Sequence, residues 1–218
     1  MTTAAPYPVT AAAGLPETQL PPSLVERLPD SAPPAPWRVR CLTVTWLHAL
    51  DDGQLVAWAL VRYDDTPVGP YSELAATLLP SDRDDYGTIP FIVVDSLPSI
   101  VGGRANWLLP KALAGFTWSP ATHSVTVSAG EPAAPAWTAE ITVQPSGDAS
   151  SLTVPNRLCQ ATLDGQQRTF TGELTGQYRS AKVTVAAQAE GPLAAFLKSG
   201  TYDGGLMSDC DFEVGPLD

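Results

Sequence analysis

Basic residues are scarce in this chain of 218 residues. Lysine and arginine together number 12, against 23 aspartates and glutamates, so the formal net charge at pH 7 is −11. Nucleic acids and anionic membrane surfaces bind proteins through clusters of basic side chains, so neither is expected as a partner. The same negative field weakly repels anionic small molecules, and a keto acid would therefore need a cation close to its binding site.

Cysteine and histidine are scarce as well. Cys41, Cys159 and Cys210 cannot all pair within the chain, and their spacing matches no zinc-binding pattern. The two histidines are too isolated in the sequence to indicate a metal site or a catalytic triad. We therefore expect no metal ion and no other cofactor, and a reducing, cytoplasmic environment.

Long apolar runs are absent. No stretch of 18 apolar residues occurs, and the N-terminus has no basic segment followed by an apolar one, so we expect neither a membrane span nor a secretory signal. Hydrophobic residues nevertheless make up 44% of the chain, which is enough for a large core. The length predicts one compact domain with a tail.

Proline is concentrated near the N-terminus, where residues 1–36 hold nine of the 22 prolines. This density excludes a regular helix or a central strand. We expect a proline-rich, partly disordered arm over 1–36, with a short helical turn at 23–28, and a folded domain over 37–218. A solvated tail is the simpler interpretation of the arm. The alternative is an arm that lies over the mouth of a pocket or over a neighbouring subunit.

From Trp37 onward, apolar residues recur with period two, which is typical of β-strands. Asp164 and Gly165 lie between two such segments and predict a hairpin turn. Many antiparallel strands of even spacing predict a mainly β protein, with a sandwich or barrel-like sheet around a ligand cavity. One or two short helices are expected. The strands are predicted over 38–48, 54–63, 71–79, 89–94, 124–128, 137–143, 156–163, 168–174, 181–187 and 207–214, and the helices over 99–107 and 192–198.

One lysine, Lys111, lies in an apolar segment that includes Trp107, Leu113 and Phe116. A buried cation is costly, and a neutral amine with a lowered pKa is the cheaper outcome. Complete burial lowers a lysine pKa by about three to five units, and a shift of about three units leaves roughly half of the amine neutral at pH 7. A neutral amine is a nucleophile that forms a Schiff base with a carbonyl compound. The alternative is a lysine whose amine reaches solvent while its stem packs.

Four short motifs follow Tyr63 in a fixed order. They are Gly-Pro-Tyr-Ser-Glu at 69–73, Val-Asp-Ser at 94–96, Gly-Arg at 103–104 and Pro-Lys at 110–111. In order and spacing they resemble the blocks of the acetoacetate decarboxylase-like superfamily, and the resemblance covers roughly residues 36–215. It implies a cone-shaped antiparallel β-barrel with few helices and a central cavity. It also places Lys111 on the Schiff-base lysine and Glu73 on a carboxylate of the pocket. Members often form oligomers, so a homo-oligomer is expected.

The chain also departs from the pattern of that family. The resemblance places Ala112 on a second lysine that directly follows the first in true decarboxylases. It places Ala105 on an acid that usually follows Gly-Arg, and Ala59 on a further glutamate. Burial is then the only identified means of lowering the pKa of Lys111. Three losses of charge point away from acetoacetate itself as the substrate.

Glu73 is a candidate general acid or base. A tight ion pair with Lys111 would raise the pKa of the lysine, which conflicts with a neutral nucleophile. We therefore expect Glu73 at proton-transfer distance and not in direct contact. A surface glutamate at a strand end is the alternative.

Further residues are candidates for substrate binding. Arg104 could bind a substrate carboxylate or enolate with two hydrogen bonds, or could instead hold an acidic side chain as a structural ion pair. Arg40 is a second candidate for anion binding, because period two places it on the same strand face as Trp46; exposure to solvent is the alternative. Tyr71, Trp107 and Trp46 are expected in the pocket wall.

These observations predict an enzyme, a lyase that uses Lys111 as a Schiff-base residue. Its substrate would be a β-keto acid larger and less polar than acetoacetate, decarboxylated or converted by related carbonyl chemistry. The main alternative is an enzyme of natural-product biosynthesis that dehydrates, condenses or cyclises a polyketide-like substrate in the same cavity, with or without a covalent lysine. A non-catalytic carrier of small apolar ligands is a further alternative.

Overall fold

The computed structural model of the chain describes residues 14–81, 86–120, 123–131 and 133–218. Within these residues the chain is mainly β, as predicted. The helical segments are a 3-10 helix over Pro16–Thr18, α1 over Pro22–Val25, α2 over Leu97–Trp107 and α3 over Gly191–Phe196. The strands are β1 Trp37–Ala49, β2 Leu55–Asp65, β3 Tyr71–Leu78, β4 Thr88–Val94, β5 Lys111–Leu113, β6 Gly115–Ser119, β7 Ser124–Glu131, β8 Ala134–Ala161, β9 Gln167–Gln188 and β10 Gly200–Val214. None of the helices in the described part of the chain has the length and hydrophobicity needed to cross a bilayer.

The strands form one open, mixed sheet in the order β5-β4-β3-β2-β1-β10-β9-β8-β7-β6. Every neighbouring pair is antiparallel except β4 and β5. The sheet is antiparallel as predicted apart from this pair, which is parallel because α2 connects the two strands as a crossover and β5 enters in the direction of β4.

The sheet curves back on itself without closing as a continuous barrel. Gly87, directly before β4, forms a bridge with Leu158 of β8, although five strands separate β4 from β8 in the sheet order. The backbone N–H of Gly87 donates to the carbonyl of Arg157 at 2.9 Å, and the N–H of Cys159 donates to the carbonyl of Gly87 at 2.9 Å. The curvature encloses the buried face of the sheet.

Two long strands replace four predicted short ones. The segments predicted over 137–143 and 156–163 belong to β8, and those over 168–174 and 181–187 belong to β9. The ladder between β8 and β9 continues past the Pro-Ser-Gly-Asp segment at 145–148 through a register shift between Ser146 and Ser150. A β-bulge absorbs the extra residues there, so turn-forming residues do not end the strand.

The described part of the N-terminal arm packs against the domain. Leu20, Leu24 and Leu28 are buried in the core, and the backbone N–H of Leu15 donates to the carbonyl of Pro90 at 2.8 Å. A solvated tail is therefore wrong for residues 14–36, because three leucines remove their apolar surface from water there. The expected disorder over 1–13 falls outside the described residues.

Arg40 and Trp46 have different surroundings along β1. Exposed and buried residues alternate as far as Thr43, but Val44 is buried as well, and the alternation then continues in the opposite phase. Residues 41–49 pair with β2 without a register shift, and the shift between Cys41 and Thr43 adds its extra residue to β10. The strand itself is therefore regular, and the sheet is covered on opposite faces at the two ends of β1. Arg40 is exposed and Trp46 is buried, so the predicted common face does not give them a common pocket.

Candidate active site

The segment that joins β4 to β5 positions Lys111. The side chain of Ser96 caps α2 by accepting a hydrogen bond from the backbone N–H of Ser99 at 3.3 Å. The helix ends where Leu108 adopts a left-handed conformation with φ of 58°. Pro110 prevents the helix from resuming, and Lys111 begins β5 on the edge of the sheet.

A cavity of about 90 Å³ lies beside Lys111 inside the curved sheet. Drug-sized ligands occupy cavities of about 300–1,000 Å³, whereas one water needs about 10–15 Å³, so this space suits a small organic molecule. Its wall is mainly apolar. The polar wall residues are Tyr63, Tyr71, Glu73, Lys111 and Asn156, and the others are Trp37, Val39, Ile89, Ile92, Trp107, Leu109, Leu158, Phe170, Phe212 and Val214.

The amino group of Lys111 is buried and fully hydrogen-bonded. Only 4% of the side chain is exposed. Nζ donates to Glu73 Oε2 at 2.7 Å, to Ser99 Oγ at 3.0 Å and to the hydroxyl of Tyr71 at 3.4 Å. An ammonium group has three N–H donors, so each of them has an acceptor here. The site is therefore built to hold the charged form of the lysine.

The electrostatics of the site correct two expectations. Burial alone would lower the pKa of Lys111, but the carboxylate of Glu73 and the hydrogen bonds with Glu73 and Tyr71 raise it above the ordinary lysine value. A neutral amine in the unliganded protein is therefore wrong. The expectation that Glu73 stays out of direct contact is also wrong, because a carboxylate at 2.7 Å compensates the buried charge.

Two tyrosines complete the polar side of the cavity. The hydroxyl of Tyr63 donates to Glu73 Oε1 at 3.2 Å, so that both carboxylate oxygens of Glu73 are hydrogen-bonded. The rings of Tyr63 and Tyr71 lie with their centroids 4.5 Å apart. Burial raises the pKa of both phenols, and the charge of Glu73 raises it further. Both tyrosines therefore remain protonated hydroxyl groups at neutral pH.

Arg104 lies behind Lys111 and not in the cavity wall. It is 0% exposed. Among its contacts, Nε donates to the backbone carbonyl of Lys111 at 2.9 Å, and Nη2 donates to the carbonyl of Thr18 at 2.7 Å. Arg104 thus connects the N-terminal arm to β5 through backbone oxygens. This arrangement differs from the anion-binding role predicted for it.

The other predicted site residues are divided between the cavity and the rest of the molecule. Tyr71 and Trp107 line the cavity. Arg40 is exposed and lies 3.5 Å from Asp65 in a surface ion pair, so the structure does not bring it to the cavity. Trp46 is buried and stacks on Trp58 with ring centroids 5.7 Å apart, away from the cavity wall.

Comparison with known proteins identifies the family. The model of the family described as acetoacetate decarboxylase (ADC) matches residues 40–196. The chain belongs to the acetoacetate decarboxylase family. A comparison with the curated proteins finds no match.

Several solved structures have a similar fold. The acetoacetate decarboxylase of Legionella pneumophila subsp. pneumophila str. Philadelphia 1 is 14% identical, with a TM-score of 0.58, over 86% of this chain and 89% of that one. The enduracididine biosynthesis enzyme MppR, complexed with pyruvate, is 11% identical, with a TM-score of 0.53, over 84% and 89% of the two chains. MppR complexed with the condensation product of pyruvate and imidazole 4-carboxaldehyde is 13% identical, with a TM-score of 0.51, over 85% and 88%. At these identities the likeness shows a shared fold.

In this member of the acetoacetate decarboxylase family, the three alanines that the resemblance places on charged positions lie outside the cavity wall. Ala112 follows Lys111 in β5 and is buried away from the cavity, as successive strand residues point to opposite faces. Ala105 is exposed on α2, and Ala59 lies opposite Ala75 in the middle of the sheet. None of these three alanines lines the cavity beside the Lys111 amine.

Two residues of the site were missed by the sequence-based reasoning. Tyr63 lies opposite Tyr71 in the ladder between β2 and β3, and period two places Tyr71 and Glu73 on one face, so strand pairing could have grouped all three. Ser99 had no comparable indication, because its contact with Lys111 depends on how α2 packs against β5. Within the described ranges, no group of three or more His, Cys, Asp or Glu side chains is placed to hold a metal ion.

Proposed function

We propose that this protein is an enzyme that forms a Schiff base between Lys111 and a small carbonyl compound. The observation that carries the proposal is the buried amine beside the cavity, in direct contact with a carboxylate. A carboxylate at 2.7 Å can accept the proton that the ammonium must lose before it reacts, and can return it later. The protonated lysine of the unliganded site is then a resting state.

The reaction begins with transfer of a proton from Lys111 to Glu73. The amine attacks the carbonyl carbon, the carbonyl π electrons move to oxygen, and one proton of the nitrogen passes to that oxygen to give a carbinolamine. Glu73 returns its proton to the hydroxyl group, water leaves, and the nitrogen becomes an iminium. In a β-keto acid the bond to the carboxylate then breaks, its electron pair forms an enamine, and CO₂ departs. Protonation at carbon and hydrolysis release the ketone and restore the amine.

A second candidate function is condensation of a ketone with an aldehyde through the same enamine. Among the described residues of the cavity wall, Lys111 is the only cation, and Glu73 already neutralises it. A substrate carboxylate would add an anion to an apolar space, which favours an uncharged carbonyl substrate. The volume of about 90 Å³ also favours a small ketone over a polyketide-like substrate.

Reductive trapping tests the covalent role of Lys111. With acetone or pyruvate present, borohydride is expected to add the reduced ligand to the peptide that contains Lys111, as measured by mass spectrometry. Lys111→Ala should abolish this adduct. Lys182→Ala is the matched control, because Lys182 forms an exposed ion pair with Asp203 at 2.6 Å and should leave trapping unchanged. Absence of any adduct on Lys111 in the wild-type protein would disprove the proposal.

The nature of the products separates the two candidate reactions. Release of CO₂ from acetoacetate, lost in Lys111→Ala, would identify a decarboxylase. A new carbon–carbon bond between acetone and an aldehyde, without release of CO₂, would identify a condensing enzyme. Ligand bound and recovered unchanged, with no adduct, would identify a carrier instead.

Gly103 provides a test of how the lysine is positioned. A Cβ added at Gly103 would lie 2.5 Å from Cδ and 2.7 Å from Cε of Lys111, so the stem of the lysine must move. Gly103→Ala is expected to slow trapping about tenfold to a hundredfold, because small displacements of a reacting group are costly. Gly115→Ala is the control, since its new Cβ would meet no atom closer than 3.9 Å. An unchanged trapping rate in Gly103→Ala would contradict the geometry.

A further inference from the structure

Ser99 contacts the reacting nitrogen and does not line the cavity. Its side chain is 0% exposed, and Oγ accepts a hydrogen bond from Nζ of Lys111 at 3.0 Å. The residue belongs to the first turn of α2, whose backbone is fixed there by the Ser96 cap. The hydroxyl therefore sits on a rigid element and not on a loop.

The position of Ser99 relative to the cavity distinguishes it from the other partners of Nζ. Tyr71 and Glu73 both line the cavity, and Ser99 does not. A carbonyl carbon that reaches Nζ from the cavity must replace one of the hydrogens on that side. Because Ser99 does not line the cavity, we expect its contact with Nζ to be retained when the carbon–nitrogen bond has formed.

The chemistry of the hydroxyl group suits the role of acceptor. A hydroxyl has one donor and two acceptor lone pairs, so a lone pair of Ser99 Oγ can face an N–H of Lys111 Nζ. This arrangement suits a nitrogen that carries a positive charge and an N–H.

We propose that Ser99 is a catalytic residue that accepts a hydrogen bond from Nζ of Lys111 in both the ammonium and the iminium forms. An iminium nitrogen has a single N–H, and Ser99 is the acceptor that remains once substrate occupies the cavity side. This inference rests on the proposed Schiff-base function, and it adds a residue to that reaction. It predicts that the covalent adduct is less stable without the hydroxyl.

The groups that surround Nζ determine how the pKa of Lys111 responds to the removal of the Ser99 hydroxyl. They are the carboxylate of Glu73 and the phenol of Tyr71 on β3, together with the phenol of Tyr63 on β2, which reaches Nζ only through Glu73. Arg104 bonds the backbone carbonyl of Lys111. Ser99→Ala leaves these groups in place and removes one acceptor from a buried cation. The pKa of Lys111 should therefore fall, by about one unit or more.

NMR of lysine-labelled protein measures this shift without requiring any substrate. The chain has only three lysines, so Lys182 and Lys198 serve as internal references in the same sample. In Ser99→Ala, the Nζ titration of Lys111 should move to lower pH by about one unit or more relative to wild type. Ser96→Ala is the matched control, because it removes the helix cap without touching Nζ. Ser99→Cys, which is close in size with a weaker acceptor, should give a smaller shift and serves if Ser99→Ala does not fold.

Trapping then measures the effect on the adduct. At pH 7, once the adduct is normalised to the neutral fraction of Lys111 that each titration gives, Ser99→Ala should accumulate about tenfold less acetone adduct than wild type, because the iminium has lost a hydrogen bond to a charged nitrogen. An unchanged pKa and unchanged trapping in Ser99→Ala would overturn the inference. Equal shifts in Ser96→Ala and Ser99→Ala would overturn it too, since they would show a helix effect only. A shifted pKa with no wild-type adduct would support the Ser99 contact and refute the Schiff-base function.

Discussion

Replacing Glu73 with glutamine is expected to lower the pKa of Lys111 by about three units or more. The carboxylate lies 2.7 Å from Nζ and raises the pKa of a lysine that burial would otherwise lower. Glutamine keeps the size and one acceptor oxygen but removes the charge. Burial then determines the outcome, and the amine becomes neutral near physiological pH. The NMR titration of Lys111 measures the shift directly.

The same substitution reverses the sign of the pH dependence that Lys111 gives to the free energy of unfolding. In the wild type the folded pKa lies above the unfolded value of about 10.4, so the stabilisation is present below that pH and is lost as pH rises through the folded pKa. In Glu73→Gln the folded pKa lies below the unfolded value. Stability should then fall as pH decreases from about 10.4 toward the new folded pKa. Urea unfolding from pH 7 to pH 10 detects this change of sign.

Asp203→Asn is the matched control for Glu73→Gln. Lys182 and Asp203 lie 2.6 Å apart, which is as close as the buried pair, but both side chains are exposed. Exposed pairs contribute about 0–1 kcal/mol, so this variant should behave as wild type. If Glu73→Gln left the Lys111 titration unchanged, the ion pair would not be what holds the lysine in its charged form.

The expected kinetics of Glu73→Gln separate the two tasks assigned to Glu73. A larger neutral fraction of the amine should favour the first attack on a carbonyl compound at pH 7. The loss of a proton donor should slow the departure of water from the carbinolamine. Faster initial addition together with slower formation of the trapped product is therefore consistent with a carboxylate that both stores and returns the proton.

The sequence contained enough information to locate the lysine but not to define its state. Apolar neighbours predicted burial of Lys111, and Pro110 predicted that the helix ends before it, and the structure has both features. The ion pair with Glu73 joins residues 38 positions apart and depends on β4 lying between β3 and β5. Such a contact follows from strand order, which local periodicity does not specify.

Two further differences have similar physical reasons. The buried face of β1 changes between Thr43 and Val44, so that Arg40 is exposed and Trp46 is buried although period two places them on one face. The absence of a lysine at position 112 says less about the cavity than the sequence analysis suggested. Residues 111 and 112 occupy opposite faces of β5, so a cation at 112 would not enter the cavity.

Replacing Arg104 with alanine is expected to destabilise the fold and to leave substrate recognition unaffected. Its guanidinium donates to two buried carbonyl oxygens, those of Lys111 and Thr18. An unsatisfied buried acceptor costs about 1–3 kcal/mol, so the two together lower the free energy of unfolding by about 2–6 kcal/mol. Urea unfolding measures this loss. Because Thr18 belongs to the arm, limited proteolysis within 14–36 should also become faster.

Arg40→Ala is the control for Arg104→Ala. Arg40 is an exposed arginine paired with Asp65 at 3.5 Å, and its loss should change the free energy of unfolding by about 0.5 kcal/mol or less. An Arg104→Ala protein of normal stability that failed to react only with keto acids would instead indicate a direct contact between Arg104 and a substrate carboxylate. A destabilised variant that still forms the acetone and pyruvate adducts in the same ratio as the wild type would show that Arg104 supports the backbone of β5 and does not bind the substrate. In that case the arm, Arg104 and Lys111 form one continuous support for the reacting amine.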